Sequence, residues 1–321
     1  MIIITGAAGF IGSNLVAGLN GARYRDLVLV DDFGRKDKQR NYAGKQFRQQ
    51  VHRMDFPGWL RENHRLVQMV LHMGARTDTA EFSLEVFREL NVDYSKEIFS
   101  LCIEFGLPVI YASSAATYGL GEHGYVDSHE LVDRLQPLNP YGQSKQDFDR
   151  WVLSLDRTPF FWAGLKFFNV YGPNEYHKGR MASVVFHAFR QIRETGQMQL
   201  FRSHHPDVKD GEQSRDFIYV KDVVDVILWL MENRPASGLY NLGTGRASTF
   251  LELTGATFRA MGREPDIAFI DTPEDIRDKY QYFTEARMEK LGDAGYPGEF
   301  TPIKAGVEEY VKEYLIPGKI R

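Results

Sequence analysis

The sequence predicts an α/β chain, with a doubly wound parallel sheet followed by a smaller, mixed C-terminal part. Three observations carry this prediction. Short apolar runs alternate with helical patterns over roughly the first 170 residues. A glycine-rich turn joins the first apolar run to the first helical pattern. Beyond Phe168 the alternation loses its regularity, as it does where a second unit is built from shorter pieces.

Met1 to Thr5 reads as a short buried strand, and from Gly9 the residues Ile11, Leu15 and Leu19 share one helical face. Asp26 to Asp31 is the second strand, and the run ending at His72 is another. Phe87, Leu90, Tyr94, Ile98 and Leu101 recur at helical intervals between about Leu84 and Phe105. Pro108 to Ser113 returns to strand, Tyr141 to Leu155 to helix, and Lys166-Phe167-Phe168 to strand. Later come helices over Met181 to Ile192 and Asp222 to Asn233, then a strand at Leu239 to Leu242. Residues 1–170, joined by segments near 216–245, are expected to form one domain; residues 171–215 and 246–321 are expected to form the other.

A chain of 321 residues buries roughly three quarters of its unfolded surface. Its 43% apolar content, with 22 Phe and 16 Tyr, supplies a core and argues against disorder or a coiled-coil rod. Cys102 is the single cysteine, so neither a disulfide framework nor a cysteine metal site can form within the chain, and no metal centre is expected. The formal charge of −4 offers no general attraction to nucleic acid or anionic membranes. The apolar opening lacks a basic leader and no stretch is long enough to span lipid, so a cytoplasmic protein is expected.

Gly6, Gly9 and Gly12 form G-x-x-G-x-x-G directly after the first strand. Glycines there permit a tight turn and close backbone approach, while the following helix offers unpaired N–H groups to a pyrophosphate. With Phe10 and Ile11, the turn is expected to bind a dinucleotide in a Rossmann-type fold. Asp31, 25 positions after Gly6, is placed for adenosine ribose hydroxyls and favours NAD. Arg35, Lys36, Lys38 and Arg40 follow at once and favour the 2′-phosphate of NADP. The two signals oppose each other: the basic cluster tips the reading to NADP, and NAD stays open. Asp32 is a loop cap or a further cofactor contact, and Asp55 is a turn residue or a contact to adenine.

Tyr141 and Lys145 lie one helical turn apart after Asn139-Pro140, a helix-opening pair. A tyrosine with a pKa near 10 is a poor base at neutral pH; a neighbouring ammonium and an oxidised nicotinamide ring both favour the phenolate, and a shift of about three units is worth roughly 4 kcal/mol. Tyr-x-x-x-Lys alone occurs on many surface helices. Here it follows a strand end rich in hydroxyls, Tyr111 to Gly119, at the sheet edge where ligands of such folds lie. Ser114 is expected to orient the reacting oxygen, beside a structural Ser113.

Together GAAGFIG at 6–12, YASSAATYG at 111–119, YGQSK at 141–145, FFNVYGPNE at 167–175, HKGRMASV at 177–184, RDFIYVKDV at 215–223 and YNLGTG at 240–245 resemble the extended short-chain dehydrogenase/reductase superfamily. Within it they resemble the ADP-L-glycero-D-manno-heptose 6-epimerase family of lipopolysaccharide biosynthesis. The resemblance implies a Rossmann-type doubly wound sheet with a smaller substrate domain. It also implies one tightly held NADP per subunit, regenerated each cycle, and inversion at C6″ of an ADP-heptose through a transient ketone. It assigns catalysis to Ser114, Tyr141, Lys145 and a second acid/base, Lys178, and cofactor support to Asn91 and Lys38. Asn169, His177 and Arg215 would meet substrate, with Arg277 and Tyr280 as further contacts. Homo-oligomers, with pentamers known, are also implied. Without the resemblance, Lys178 reads as a solvated loop lysine and His177 as structural.

The chain departs from that pattern at Lys166, where an arginine is usual, and at Met73 and Arg76, where Glu and Cys are common. Its loop from Leu120 to Gln136 is also longer and more polar. A UDP-hexose 4-epimerase shares the same triad. A dehydratase would need an acid and a base where this chain has Ala115-Ala116-Thr117. A non-catalytic cofactor-binding scaffold is the remaining alternative.

Overall fold

The computed structural model describes residues 1–78, 83–277 and 280–321. Seven parallel strands form the main sheet: β1 (Ile2–Thr5), β2 (Leu27–Asp31), β3 (Gln49–His52), β4 (Met69–His72), β5 (Val109–Ser114), β6 (Trp162–Phe167) and β7 (Gly238–Leu242), in the order β7-β6-β5-β4-β1-β2-β3. The order reverses between β1 and β4, which opens a crevice above their carboxyl ends. The central strands carry near-continuous apolar side chains because helices cover both faces. On one face α1 (Phe10–Gly21) packs beside a later helix, Val220–Asn233; the helix Tyr94–Glu104 packs on the other. The expected alternation therefore holds, and the returning strand near residue 240 does join the N-terminal sheet.

Sequence patterns overlooked β3, whose residues Gln49, Gln50, Val51 and His52 offer only one buried apolar side chain. They also overlooked the short pairs Asn169–Tyr171 with Phe217–Tyr219, and Met198–Phe201 with Ile267–Ile270. These strands form through pairing to distant partners, which local periodicity does not report. The helical pattern from Leu84 continues through a π-helical stretch, Arg88–Asp93, before the regular helix begins. The loop from Leu120 to Gln136 covers the open edge of β7. His129 Nε2 accepts from Leu239 N at 3.0 Å, and Asp127 accepts from Asn241 N at 2.8 Å. Its extra polarity therefore serves an otherwise unpaired strand edge.

The glycine turn is set by close backbone contact. Gly6 has φ +65°, and a Cβ there would lie 2.6 Å from Gly74 Cα. A Cβ on Gly12 would lie 2.2 Å from the Gly6 carbonyl oxygen. Gly12→Ala is expected to cost about 1–3 kcal/mol through overpacking and to weaken dinucleotide binding. Gly21→Ala, with open space around the new methyl group, should cost nothing. Urea denaturation of both variants, with and without cofactor, checks the contrast.

Candidate active site

A cleft of about 800 Å³ runs over the carboxyl ends of the sheet, from the glycine turn at one end to Phe217, Gln281 and Thr284 at the other. Gly6, Gly9, Phe10, Ile11 and Gly12 line its floor. Gly9 precedes α1, and no side chain caps the helix and no acidic residue sits in its first turn. The helix N-terminus is therefore open to an anion, and the missing Cβ atoms give the space. These features fit the pyrophosphate of a dinucleotide. Arg53, with a buried Nε that has no protein partner, lies farther along the same wall.

Asp31 is buried at the end of β2. One oxygen accepts from Ala8 N at 2.9 Å; the other accepts from Asp32 N at 2.8 Å and pairs with Lys38 at 3.2 Å. The acidic and basic signals that opposed each other in the sequence are thus one ion pair. Arg35 pairs with Asp37 and, like Lys38, faces the cleft. Arg40 turns away to the Gly318 carbonyl at 2.7 Å. Asp32 caps its own loop by accepting from Gly34 N at 3.1 Å, and Asp55 lies outside the cleft wall that Arg53 and Met54 line.

Tyr141 stands in the first turn of the helix Pro140–Leu153, whose N-terminus is capped by Asn139 accepting from Gly142 N at 2.8 Å. Ser114, the last residue of β5, lines the cleft with it. Burial pushes the Tyr141 phenol above its ordinary value, and a hydrogen bond with Ser114 opposes that shift. Lys145 lies beneath the cleft wall, 5% exposed, and donates to the Ala112 carbonyl at 2.8 Å. Burial brings its own pKa down to about 8, against an opposing pull from Asp149. The Lys145 ammonium is turned to a carbonyl, and desolvation is the larger influence on the Tyr141 phenol.

Lys178, in the turn Tyr176–Met181, also lines the cleft. Its Nζ sits 5.0 Å above the ring centroid of Phe10, so the glycine turn also seats this lysine. Burial lowers its pKa, and the carboxylate of Glu175 raises it. Glu175, fully buried, accepts from Ser183 N and Oγ at 2.6 Å each and from the Tyr310 hydroxyl at 2.9 Å. These bonds fix the segment between the 184–195 helix and the C-terminal helix. Glu175 neighbours Lys178 in sequence, whereas Phe10 was not legible as its partner, because that contact joins positions far apart in the chain.

His177 lines the cleft and shares a 3.2 Å hydrogen bond with Asn41, while burial and the nearby Lys38 and Lys178 bring its pKa down to about 4. Its imidazole is therefore neutral at physiological pH. Asn91 lies in the π-helical stretch, where its amide bonds Arg76 N at 2.7 Å, Arg76 O at 2.9 Å and Ser144 Oγ at 3.0 Å. It ties the loop after β4 to the tyrosine helix and does not line the cleft. Asn169 does line it.

Arg215 is nine-tenths buried between the rings of Phe250 and Tyr280, 5.6 Å from each centroid. Arg277 donates to the Thr272 carbonyl at 2.9 Å. Gln281 and Thr284, close to Arg277 and Tyr280 in sequence, line the cleft. Arg180 and Asp78, both lining the cleft, form an ion pair at 2.9 Å. Among the described residues, no group of three or more His, Cys, Asp or Glu is placed to hold a metal, and no helix is long and apolar enough to cross a membrane.

Residues 2–243 match the NAD dependent epimerase/dehydratase family. Over 317 residues the chain is 50% identical to an ADP-L-glycero-D-manno-heptose-6-epimerase from Nitratidesulfovibrio vulgaris, covering 98% of each chain. It is 45% identical over 325 residues to the protein of the same name from Fusobacterium nucleatum, again covering 98% of each. The crystal structure of a Helicobacter pylori ADP-L-glycero-D-manno-heptose-6-epimerase aligns with a TM-score of 0.80 at 27% identity, over 97% of this chain and 95% of that one. A glycine turn, a serine, a tyrosine and two lysines gathered at one cleft agree with those matches, and the chain belongs to the NAD dependent epimerase/dehydratase family as one of its nucleotide-sugar epimerases.

Proposed function

We propose that the protein inverts ADP-D-glycero-β-D-manno-heptose to ADP-L-glycero-β-D-manno-heptose at C6″, with NADP as its resident cofactor. The observation that carries this reading is that Tyr141 and Lys178, from segments far apart in sequence, line one cleft. Inversion of a carbinol needs proton handling from two directions, and one fixed phenol serves only one of them. The names and identities of the near relatives supply the sugar.

Gly6, Gly9 and Gly12 with the α1 N-terminus would hold the pyrophosphate, and Arg35 and Lys38 a 2′-phosphate. Lys38 already neutralises Asp31, which removes the like charge that would otherwise repel phosphate. When bound, the nicotinamide supplies reversible two-electron oxidation of the carbinol carbon. Ser114 orients the sugar oxygen, and Tyr141 takes or returns its proton on one side. Lys178, its pKa lowered by burial, does so on the other. Asn169 would meet the diphosphate region. In this reading residues 1–170 with 216–245 hold cofactor, and 171–215 with 246–321 enclose substrate. The protein works in the cytoplasm as a homo-oligomer, whose size sedimentation would establish.

Tyr141→Phe should retain cofactor and lose activity by about 10²–10⁴-fold, the range of a general acid/base. Lys178→Met should bind nucleotide normally and lose epimerisation by at least about 10²-fold. Both are checked by stereochemical analysis of product from a panel of ADP- and UDP-sugars. Turnover of UDP-glucose in place of the ADP-heptose would instead identify a hexose 4-epimerase.

A further inference from the structure

Behind the catalytic cleft lies a charge pair that the chemistry above does not use. Lys166 on β6 and Asp149 on the tyrosine helix are both fully buried and meet at 2.8 Å. The Asp149 carboxylate also accepts from Ser113 Oγ at 2.7 Å and from the Tyr111 hydroxyl at 3.1 Å, both on β5. Lys166 Nζ donates further to Thr117 Oγ1 at 2.8 Å, and that hydroxyl donates to the Ser114 carbonyl at 2.8 Å. The ammonium also stands 5.2 Å over the Tyr118 ring. Every polar atom of the pair is thereby engaged with a segment that carries a catalytic residue or adjoins one.

Burying two charges is a poor way to gain stability, since an apolar pair of the same volume serves at least as well. What the charges add is direction. Asp149 lies one turn beyond Lys145 on the helix that carries Tyr141, and Ser113 and Thr117 flank Ser114. We infer that Asp149 and Lys166 are positioning residues that lock the Ser114 strand end against the Tyr141–Lys145 helix and so set the spacing of the catalytic trio. The inference rests on the acid/base reading given above.

A second consequence is electrostatic. Asp149, on its own helix, raises the Lys145 pKa against burial. The other titratable groups near Lys145 are Tyr141 on the same helix and His72 on β4. His72 is neutral, brought down to about 3 by burial and by Lys145, and is held between Thr5 and Ser95. Asp149 itself faces Lys166 from β6 and the Tyr111 phenol from β5. Loss of the Asp149 charge lowers the Lys145 pKa further, so activity that needs the ammonium is lost at a lower pH as pH rises.

The test is the neutral double variant Asp149→Asn/Lys166→Met, purified with its cofactor and assayed with the ADP-heptose beside Tyr141→Phe. The expected result is cooperative melting, unchanged KM, kcat reduced about 10- to 100-fold, as for a small misplacement of reacting groups, and an alkaline limb displaced to lower pH. Lys166→Arg, which keeps the charge and the donors, should restore most of kcat. Wild-type kcat and an unmoved alkaline limb in the double variant, with Tyr141→Phe inactive, would overturn the positioning role alone. Turnover by Tyr141→Phe would overturn the acid/base reading and this inference with it. If the double variant does not fold, Asp149→Glu decides. It keeps the charge and shifts it by one methylene, so a reduced kcat at unchanged KM supports the inference and an unchanged kcat overturns it.

Discussion

Gly6, Gly12 and Gly74 pack backbone against backbone where β1 and β4 end, and no side chain could be admitted at that junction. A methyl group at Gly12 would fall 2.2 Å from the Gly6 carbonyl, and one at Gly6 would fall 2.6 Å from Gly74 Cα. This approach brings the start of α1 against the loop after β4 and so defines the floor of the cleft. Phe10, carried by the same turn, then offers its ring to Lys178. The glycine floor of the cleft and the seat of Lys178 therefore depend on one turn.

Burial sets the electrostatics of the walls. The Tyr141 phenol is pushed up and the ammonium of Lys178 down, while Lys145 is brought to about 8. Desolvation disfavours the charged form of each. At Lys178 the nearby Glu175 carboxylate, held by Ser183 and Tyr310, opposes that shift.

Neighbouring polar residues take separate jobs through the partners that reach them. Ser114 faces the cleft while Ser113 turns to Asp149. Asp31 braces the turn while Asp32 caps its loop. Lys178 enters the cleft while the adjoining His177 is held neutral against Asn41. In each pair the residue types are similar or adjacent, and the surrounding packing assigns the role.

Sequence alone determined the alternating parallel sheet, the glycine turn and three of the catalytic candidates, because each rests on local spacing: three glycines after an apolar run, a tyrosine and lysine one turn apart, a serine at a strand end. The return of residues 238–242 to the sheet was legible for the same reason, as a short apolar run between turns. Lys178 was legible only through the family resemblance. Only the tertiary structure decided that Asp31 and Lys38 form a pair, that Lys145 points to a carbonyl, and that Gln281 and Thr284 line the cleft. It alone revealed β3, the seat of Lys178 on Phe10 and the buried Asp149–Lys166 pair. These features depend on which distant segments meet and on how much water they exclude, and neither quantity is encoded in the spacing of residues along one stretch of chain.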